Sequence, residues 1–417
     1  MGGSDILFPR ATLPLVQPGE SSQPSLRRAL GLPLLTLYGL GTILGAGIYV
    51  LVGEIAAKAG VLAPLSFVLA ALMAAFTALS YAELSSRFPR SAGEAAYMHE
   101  AFARPALSRA VGIAMAGVGI ASSATIAEGF AGYLTVFAEI PEWVSVTLLC
   151  CALVALAIWG ISESARAASA ITLLEIGGLL FVVAMAGSAL GELPARLEAP
   201  GALHWGGVGA GALFAFYAFL GFEDMVVVSE EVRDPSRNLP RAIIIALVVS
   251  TLLYLIVALV CVAAVEPARL GTSKAPLSLV LEGHGGARVI ALVSLFAVSN
   301  GALIQMIKSS RILYGLSREG WIGPALGVVG ARTRTPVRAT LLVGALVWGL
   351  SLLFDLGALA SATSYLTLGV FALVNAALIR VKSSGAAPAG VRVFPLWVPW
   401  CGFGVIFIFL AYSAFWR

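Results

Sequence analysis

Four carboxylates stand where a carboxylate is least at home. Glu128, Glu175, Glu223 and Asp224 each lie inside a long apolar run. An acid at membrane depth is expensive, so each points to a proton, a bound cation or an internal partner. Glu223 and Asp224 follow Phe219-Leu220-Gly221-Phe222 directly, so a glycine interruption and two acids coincide. A denser interruption lies upstream, where Gly39, Gly41, Gly45 and Gly47 fall within nine residues of the first long apolar segment. Glycine costs about 1 kcal/mol per position in a helix interior relative to alanine. Backbone groups freed by a break in lipid must find other partners. Such a break is tolerable where unwound backbone lines a cavity and meets a ligand, as in a transporter built on discontinuous helices.

The elements that must position these groups follow from composition. Of the 417 residues, 59% are hydrophobic and 12% charged, with a mean hydropathy of +0.95. This is an all-α polytopic membrane protein, not a soluble domain. About eleven spans are expected, near 33–57, 62–86, 107–137, 143–160, 168–190, 207–231, 241–265, 288–315, 338–354, 357–380 and 394–415. Residues 1–31 read as a polar, disordered cytoplasmic tail, and no cleavable signal peptide is evident. With the N-terminus inside, all but Lys58, Arg196, Arg269, Lys274, Arg288 and Arg417 of the 26 Lys and Arg residues are cytoplasmic, a strong vote for that orientation. Lys308 is counted here with the cytoplasmic charges. A net charge of +4 with basic residues in the loops does not suggest nucleic-acid binding. Cys150, Cys151, Cys261 and Cys401 lie in apolar segments and read as small hydrophobes.

The two interruptions lie five spans apart, in the first and sixth apolar segments. Two five-helix repeats of opposite topology produce that spacing. The repeats are expected over 32–190 and 205–380, with an eleventh helix over 393–417. No residue identity marks the repeat, so the inference rests on the matched interruptions.

Three stretches resemble the amino acid–polyamine–organocation superfamily of permeases, most of all its prokaryotic branch related to cationic amino acid transporters. The first is Gly45-Ala46-Gly47-Ile48-Tyr49-Val50. The second is Phe219-Leu220-Gly221-Phe222-Glu223 with Glu230-Glu231-Val232-Arg233-Asp234-Pro235 through Pro240-Arg241. The third is Ser310-Arg311-Ile312-Leu313-Tyr314-Gly315 through Gly320, then Thr335-Pro336. Ser80-Tyr81-Ala82-Glu83-Leu84 and the Phe88-Pro89 through Tyr97 segment fit as well, and the match runs from about residue 30 to 415.

The resemblance implies the leucine-transporter-type fold and a secondary transporter of amino acids or related amines. In the broken first helix, N–H groups of Ala46, Gly47 and Ile48 beside Gly45 would face the substrate carboxylate, where orphan donors and the helix dipole favour an anion. Carbonyls of Ile43, Tyr217, Ala218 and Leu220 would accept from its ammonium. Tyr217 matches an aromatic that closes over substrate. Glu128 shares a polar stripe with Ser122, Ser123 and Thr125 and is a candidate substrate contact. Asn300 and Gln305 map near the pocket. Glu223 and Asp224 are candidates for coupling or gating. Glu175 falls where many relatives carry a lysine; it could hold a proton, help bind a cation or pair with a base. The coupling ion is open between proton and sodium, with the proton preferred, and no cofactor is implied.

The implied setting is the cell membrane, with the lipid bilayer and an amino acid or amine as partners. The oligomeric state is unknown. The buried acids show no clear intramembrane base, which equally permits a cationic substrate, such as a polyamine, and a neutral one with proton coupling. Glu83, Glu230 and Glu231 could pair with Arg233, Arg237, Arg241, Arg311 and Arg318 as an inner gate. An enzyme would need a cluster of nucleophilic or His/Asp groups near one interface, and His99, His204 and His284 are scattered. A channel would want repeated polar rings, and a sensor usually an added soluble domain; neither is visible.

Overall fold

A computed structural model describes residues 28–45, 47–89, 93–159, 165–198, 203–385, 388 and 390–415. The expected tail and Ala46 lie outside the described residues, apart from the short stretch 28–31 that enters the first helix.

Among the described residues, nine helical segments are long and apolar enough to cross a membrane. The shorter apolar helices Val337–Leu353 and Trp397–Ser413 fill the ninth and eleventh of the expected positions. In chain order the helices begin with α1 Leu32–Leu44, α2 Gly47–Ala59, α3 Ala63–Arg87, α4 Gly93–Phe102, α5 Pro105–Leu134, α6 Glu142–Trp159, α7 Ala165–Ala186 and α8 Leu193–Glu198. They continue with α9 Trp205–Ala218, α10 Pro235–Ala264, α11 Pro267–Thr272, α12 Pro276–Val280, α13 Ala287–Arg318, α14 Val337–Leu353, α15 Leu356–Ser384 and α16 Trp397–Phe415. The first span is thus two helices, α1 and α2. The sixth is α9 followed by a 3-10 segment over Phe222–Glu231.

One boundary differs usefully. Apolarity alone starts the seventh span near residue 241, yet α10 starts at Pro235. Proline is suited to the first helical turn, because its missing N–H would be unbonded there anyway. The polar turn with Arg237 and Asn238 therefore extends the helix beyond the apolar stretch.

Among the described spans the broken sixth is the most enclosed, and the outer helices turn large apolar side chains such as Leu252, Phe296, Leu353 and Phe407 outward. In a membrane those faces meet lipid. Helix association there relies on close packing and polar contacts. Asn375 of α15 supplies such a contact: it accepts from Ser80 Oγ at 2.6 Å and donates to Thr77 Oγ1 at 2.9 Å, both on α3. Beside it, Phe222 of the 3-10 segment packs its ring against Tyr81 and Phe371, with centroids 5.6 and 5.3 Å away. This aromatic wedge backs the irregular half of the sixth span. Cys150 and Cys261 are buried, whereas Cys151 is exposed.

Gly221 separates the two halves of that span at φ +122°, and a Cβ there would overlap the carbonyl of Thr42. Gly117, within α5, has open space around it. Gly221→Ala should therefore lower the melting temperature of the purified protein in detergent. Gly117→Ala should leave it unchanged or raise it by an amount equivalent to about 0.5–1 kcal/mol.

Candidate functional site

The two breaks meet. Gly45 still bonds back to Gly41 O at 3.1 Å, and regular helix resumes at Gly47. A Cβ on Gly47 would run into the Cα of Ala218, so only glycine permits this approach. After Ala218 the chain tightens: Leu220 N donates to Tyr217 O at 3.1 Å before Gly221 reverses the backbone. Thr42 Oγ1 donates to the carbonyls of Gly39 and Gly221, each at 2.9 Å. Tyr254 of α10 donates to Ile43 O at 2.7 Å and Ala218 O at 2.8 Å. One hydroxyl thus bridges freed carbonyls from both broken spans.

Between the breaks lies a contracted cavity of about 20 Å³, room for about one water. Ile43 and Gly47 face it from the first span, and Tyr217 and Leu220 from the sixth. Ser122 and Ile126 of α5, with Gly301, Ile304 and Gln305 of α13, form the far wall. The Tyr217 hydroxyl lies 2.9 Å from Ser122 Oγ. Of the expected binding residues, Ile43, Gly47, Tyr217, Leu220 and Gln305 therefore come together. Ala218 abuts Gly47, while Gly45 and Ile48 are buried within and just after the first break. Asn300 is buried beside Gly301 without lining the cavity.

Glu128 lines a second, larger cavity of about 620 Å³, with Glu54, Glu142, Lys274 and Asp355. The separation is geometric: six residues along α5 carry Glu128 roughly 9 Å beyond Ser122. Glu142 and Lys274 form an ion pair in that cavity. It lies toward the Ala59 end of the first span, away from the chain start.

Glu175 is fully buried behind the first break. A Cβ built on Gly45 would lie 3.6 Å from Glu175 Oε1 and 3.7 Å from the carbonyl of Ala297. Tyr49, in α2, donates to the Glu175 carbonyl at 2.5 Å, and Tyr133 donates to the Tyr49 carbonyl at 2.5 Å. The segment that carries Glu175 is therefore keyed to the half-helix that follows the break.

Two expectations need correction. The buried acids do have a base within the spans: the Lys308 side chain, 8% exposed, is ion-paired to Asp224 and 3.9 Å from Glu223. It lies within the expected eighth span, 288–315, although the charge count groups it with the cytoplasmic residues, and α13 places it well before the helix end at Arg318. Its spacing of three from Gln305 was the available signal, since i and i+3 share a helix face. Gln305 Nε2 also donates to Asp224, to Oδ2 at 3.1 Å. Glu223 turns its other oxygen to the backbone, accepting from Gly221 N at 2.8 Å.

The second correction concerns Glu83, which pairs with Arg87 and Lys382, each at 2.7 Å, and accepts from Phe394 N at 2.8 Å. Arg87 is one turn away and α15 delivers Lys382, so nearer bases displace the expected arginines. The Arg233 side chain instead donates from Nε to Arg28 O at 3.3 Å, and the backbones join there too, Arg233 N donating to Leu30 O at 2.9 Å and Leu30 N to Glu231 O at 3.0 Å. In α4, outside the spans, burial holds the Glu94 carboxyl above the usual carboxylate range, against the opposing pull of Lys308. Tyr81 donates to it at 2.9 Å.

Two broken spans that meet at a cavity inside a helical bundle are the arrangement of a membrane permease. The family model described as amino acid permease matches residues 30–416, and the chain belongs to that family. It is 30% identical to a branched-chain amino acid permease of Bacillus subtilis, over 87% of this chain and 82% of that protein. It is likewise 30% identical to the vacuolar cationic amino acid transporter 2 of Arabidopsis thaliana, covering 87% of this chain but only 61% of the plant protein. A methylthioribose transporter of Bacillus subtilis is 29% identical, over 87% of this chain and 83% of its own length.

The Lys308–Asp224 pair makes a stability prediction. Lys308→Met leaves buried carboxylates uncompensated and should destabilise the protein by about 3–5 kcal/mol. Adding Asp224→Leu should recover part of that loss. A double-mutant cycle on thermal unfolding in detergent checks it, and additive losses would show that the two groups are not coupled.

Proposed function

We propose that this chain is a secondary active transporter of amino acids that works by alternating access and is coupled to protons. The observation that carries the reading is the crossing of the two breaks on one cavity. The start of α2 presents N–H donors at Gly47 and Ile48 for a carboxylate. The carbonyls of Ile43 and Ala218 each retain a lone pair beyond the one Tyr254 uses, suited to an ammonium. The cavity is too small for an amino acid, so the halves must separate to admit one. The larger cavity beside Glu128 lies on the Ala59 side of the first span. The relatives named as amino acid permeases and transporters support the same substrate class.

Proton coupling is the preferred mode because carboxyls stand buried at both breaks, Glu175 behind the first and Glu223 after the second, beside the Asp224–Lys308 pair. A carboxyl that the closed bundle buries and the opened one exposes can take up a proton on one side and give it up on the other. The Lys and Arg bias supports a cell-membrane protein with its N-terminus in the cytoplasm. A second reading, a cationic amino acid or polyamine as substrate, is favoured by the outer cavity. There Glu54, Glu128, Glu142 and Asp355 face a single Lys274, a charge balance that would concentrate cations.

Proteoliposomes loaded with the purified protein should take up at least one labelled amino acid faster under an inward proton gradient. An equal sodium gradient should have no such effect. Glu175→Gln should reduce the proton-driven rate to the rate without a gradient while exchange across the membrane persists. Stimulation by sodium alone would reject the proton, and no uptake or exchange of any amino acid or amine would reject the transporter reading.

A further inference from the structure

The two ends of the small cavity are unlike. The sixth span begins beside the end of the first, where a Cβ on Gly207 would meet the Lys58 carbonyl. It ends at the chain start, where Leu30 N donates to Glu231 O. Glu223 and Asp224 therefore lie on the chain-start side of the cavity, and the cavity of about 620 Å³ lies on the other. Gly301, Ile304 and Gln305 of α13 line the small cavity. Lys308 follows one turn later, roughly 5 Å further toward the chain start.

At that level an ion pair joins the broken span to a braced wall. Asp224 belongs to the 3-10 half of the sixth span. Lys308 belongs to α13, which Ser123 and Ser309 fasten to α5 by bonds to Ala302 O and Ala116 O. Ser309 is the next residue after Lys308, so the base stands at a fastened point. The Lys308 side chain is 8% exposed and that of Asp224 3%. Gln305 Nε2 adds a second tie from α13 to Asp224, at 3.1 Å. Glu223 lies 3.9 Å from the same ammonium and accepts from Gly221 N, at the break itself. Helix α4 backs the group: a Cβ on Gly93 would touch Val226 at 4.0 Å, and Glu94 is buried with Tyr81 donating to it.

We infer that Lys308 is a gating residue: its ion pair with Asp224 latches the second half of the sixth span to the α5–α13 wall and closes the cavity toward the chain start. The inference rests on the alternating-access reading, in which the broken spans move against that wall. An ion pair between helices that keep their distance adds only to stability. This one crosses from the broken span to the wall, so a movement that opens the chain-start side has to part it. Parting it leaves an ammonium and two carboxylates in need of water, which that opening admits. Removing the pair moves the equilibrium toward the form open at the chain start and away from the form open on the Ala59 side.

A thiol on the cavity wall reports which side is open. In a parent with Cys150, Cys151, Cys261 and Cys401 replaced by alanine, Ile304→Cys supplies that thiol. The protein is reconstituted in one orientation, and cleavage of an N-terminal tag identifies the chain-start face. A small membrane-impermeant methanethiosulfonate is then added to either face. Lys308→Met should raise the labelling rate from the chain-start face about tenfold, the change that about 1.4 kcal/mol gives, and lower it from the other face. Asp224→Asn should shift both rates in the same directions. Lys308→Arg, which keeps the charge, should label as the parent does. The exchange Lys308→Asp with Asp224→Lys should return both rates toward the parent's. Lys308→Met with Asp224→Leu, in which no buried Asp224 charge is left unpaired, should show the same two opposed shifts, and size-exclusion chromatography confirms that each variant is folded. Rates that rise together at both faces mark a loss of packing and would overturn the inference, as would unchanged rates in the folded double variant. Either result beside amino acid uptake by the parent leaves the transporter reading intact. A parent that takes up no amino acid or amine rejects that reading, and the latch with it.

Discussion

The hydroxyl of Tyr254 is the hinge on which the arrangement depends. Two discontinuous spans each leave carbonyls with no helical partner, and lipid offers none. The hydroxyl of Tyr254 meets one carbonyl from each, at Ile43 and Ala218. It therefore satisfies part of both breaks and fixes their distance with a single atom. A proton shared between two carbonyls does here what a bridging cation could do elsewhere. Around it the contacts repeat the theme: Thr42 reaches across to Gly221, and Gly47 lies against Ala218. The glycines matter because the backbones themselves touch, and a side chain at either place would separate them.

Charge is organised about this junction on two levels. After the second break, Glu223 and Asp224 are met by Lys308, with Gln305 joining the group to the cavity wall. Farther toward the chain start, Glu83 gathers Arg87, Lys382 and the Phe394 amide, tying α3 to α15 and to the approach of α16. Desolvating a charge is tolerable only with a partner and further hydrogen bonds, and both groups meet that condition. The first ties the polar network to the cavity. The second fastens outer helices to one another and has no atom there.

Much of this was legible in the sequence. The spans follow from apolar runs, and the breaks from glycine density at 39–47 and from Gly221 beside two acids. The cavity residues Ile43, Gly47, Tyr217 and Leu220 follow from those breaks together with the family resemblance. What was not legible depended on distance along a helix or across the bundle. Glu128 belongs to a polar stripe, but the stripe is long enough to serve two cavities. Lys308 falls inside the expected eighth span, but only packing shows that it meets Asp224. Glu83 has several arginines within plausible reach, and only packing shows that Arg87 and Lys382 arrive first. Tyr254, in the middle of an apolar span, has no local signal at all, since its partners lie 211 and 36 residues away.

The same contacts bear on how readily the halves can part. A neutral hydrogen bond contributes about 0.5–1.5 kcal/mol net, and a bond shared by two acceptors is weaker at each. The direct side-chain links described between the first and sixth spans are the Tyr254 bridge and the Thr42 bond to Gly221. Their combined hold is a few kcal/mol, which is within the differential affinity that a ligand can supply to one conformation over another. By contrast, α5 and α13 pack along most of their length, with Ser123 bonding to Ala302 O and Ser309 to Ala116 O, each at 3.1 Å. The wall that carries Gln305 is thus braced at two levels by bonds independent of the breaks. Side-chain hydrogen bonding thus holds the α5–α13 wall on its own, while the two broken spans are held chiefly by the close approach of Gly47 to Ala218.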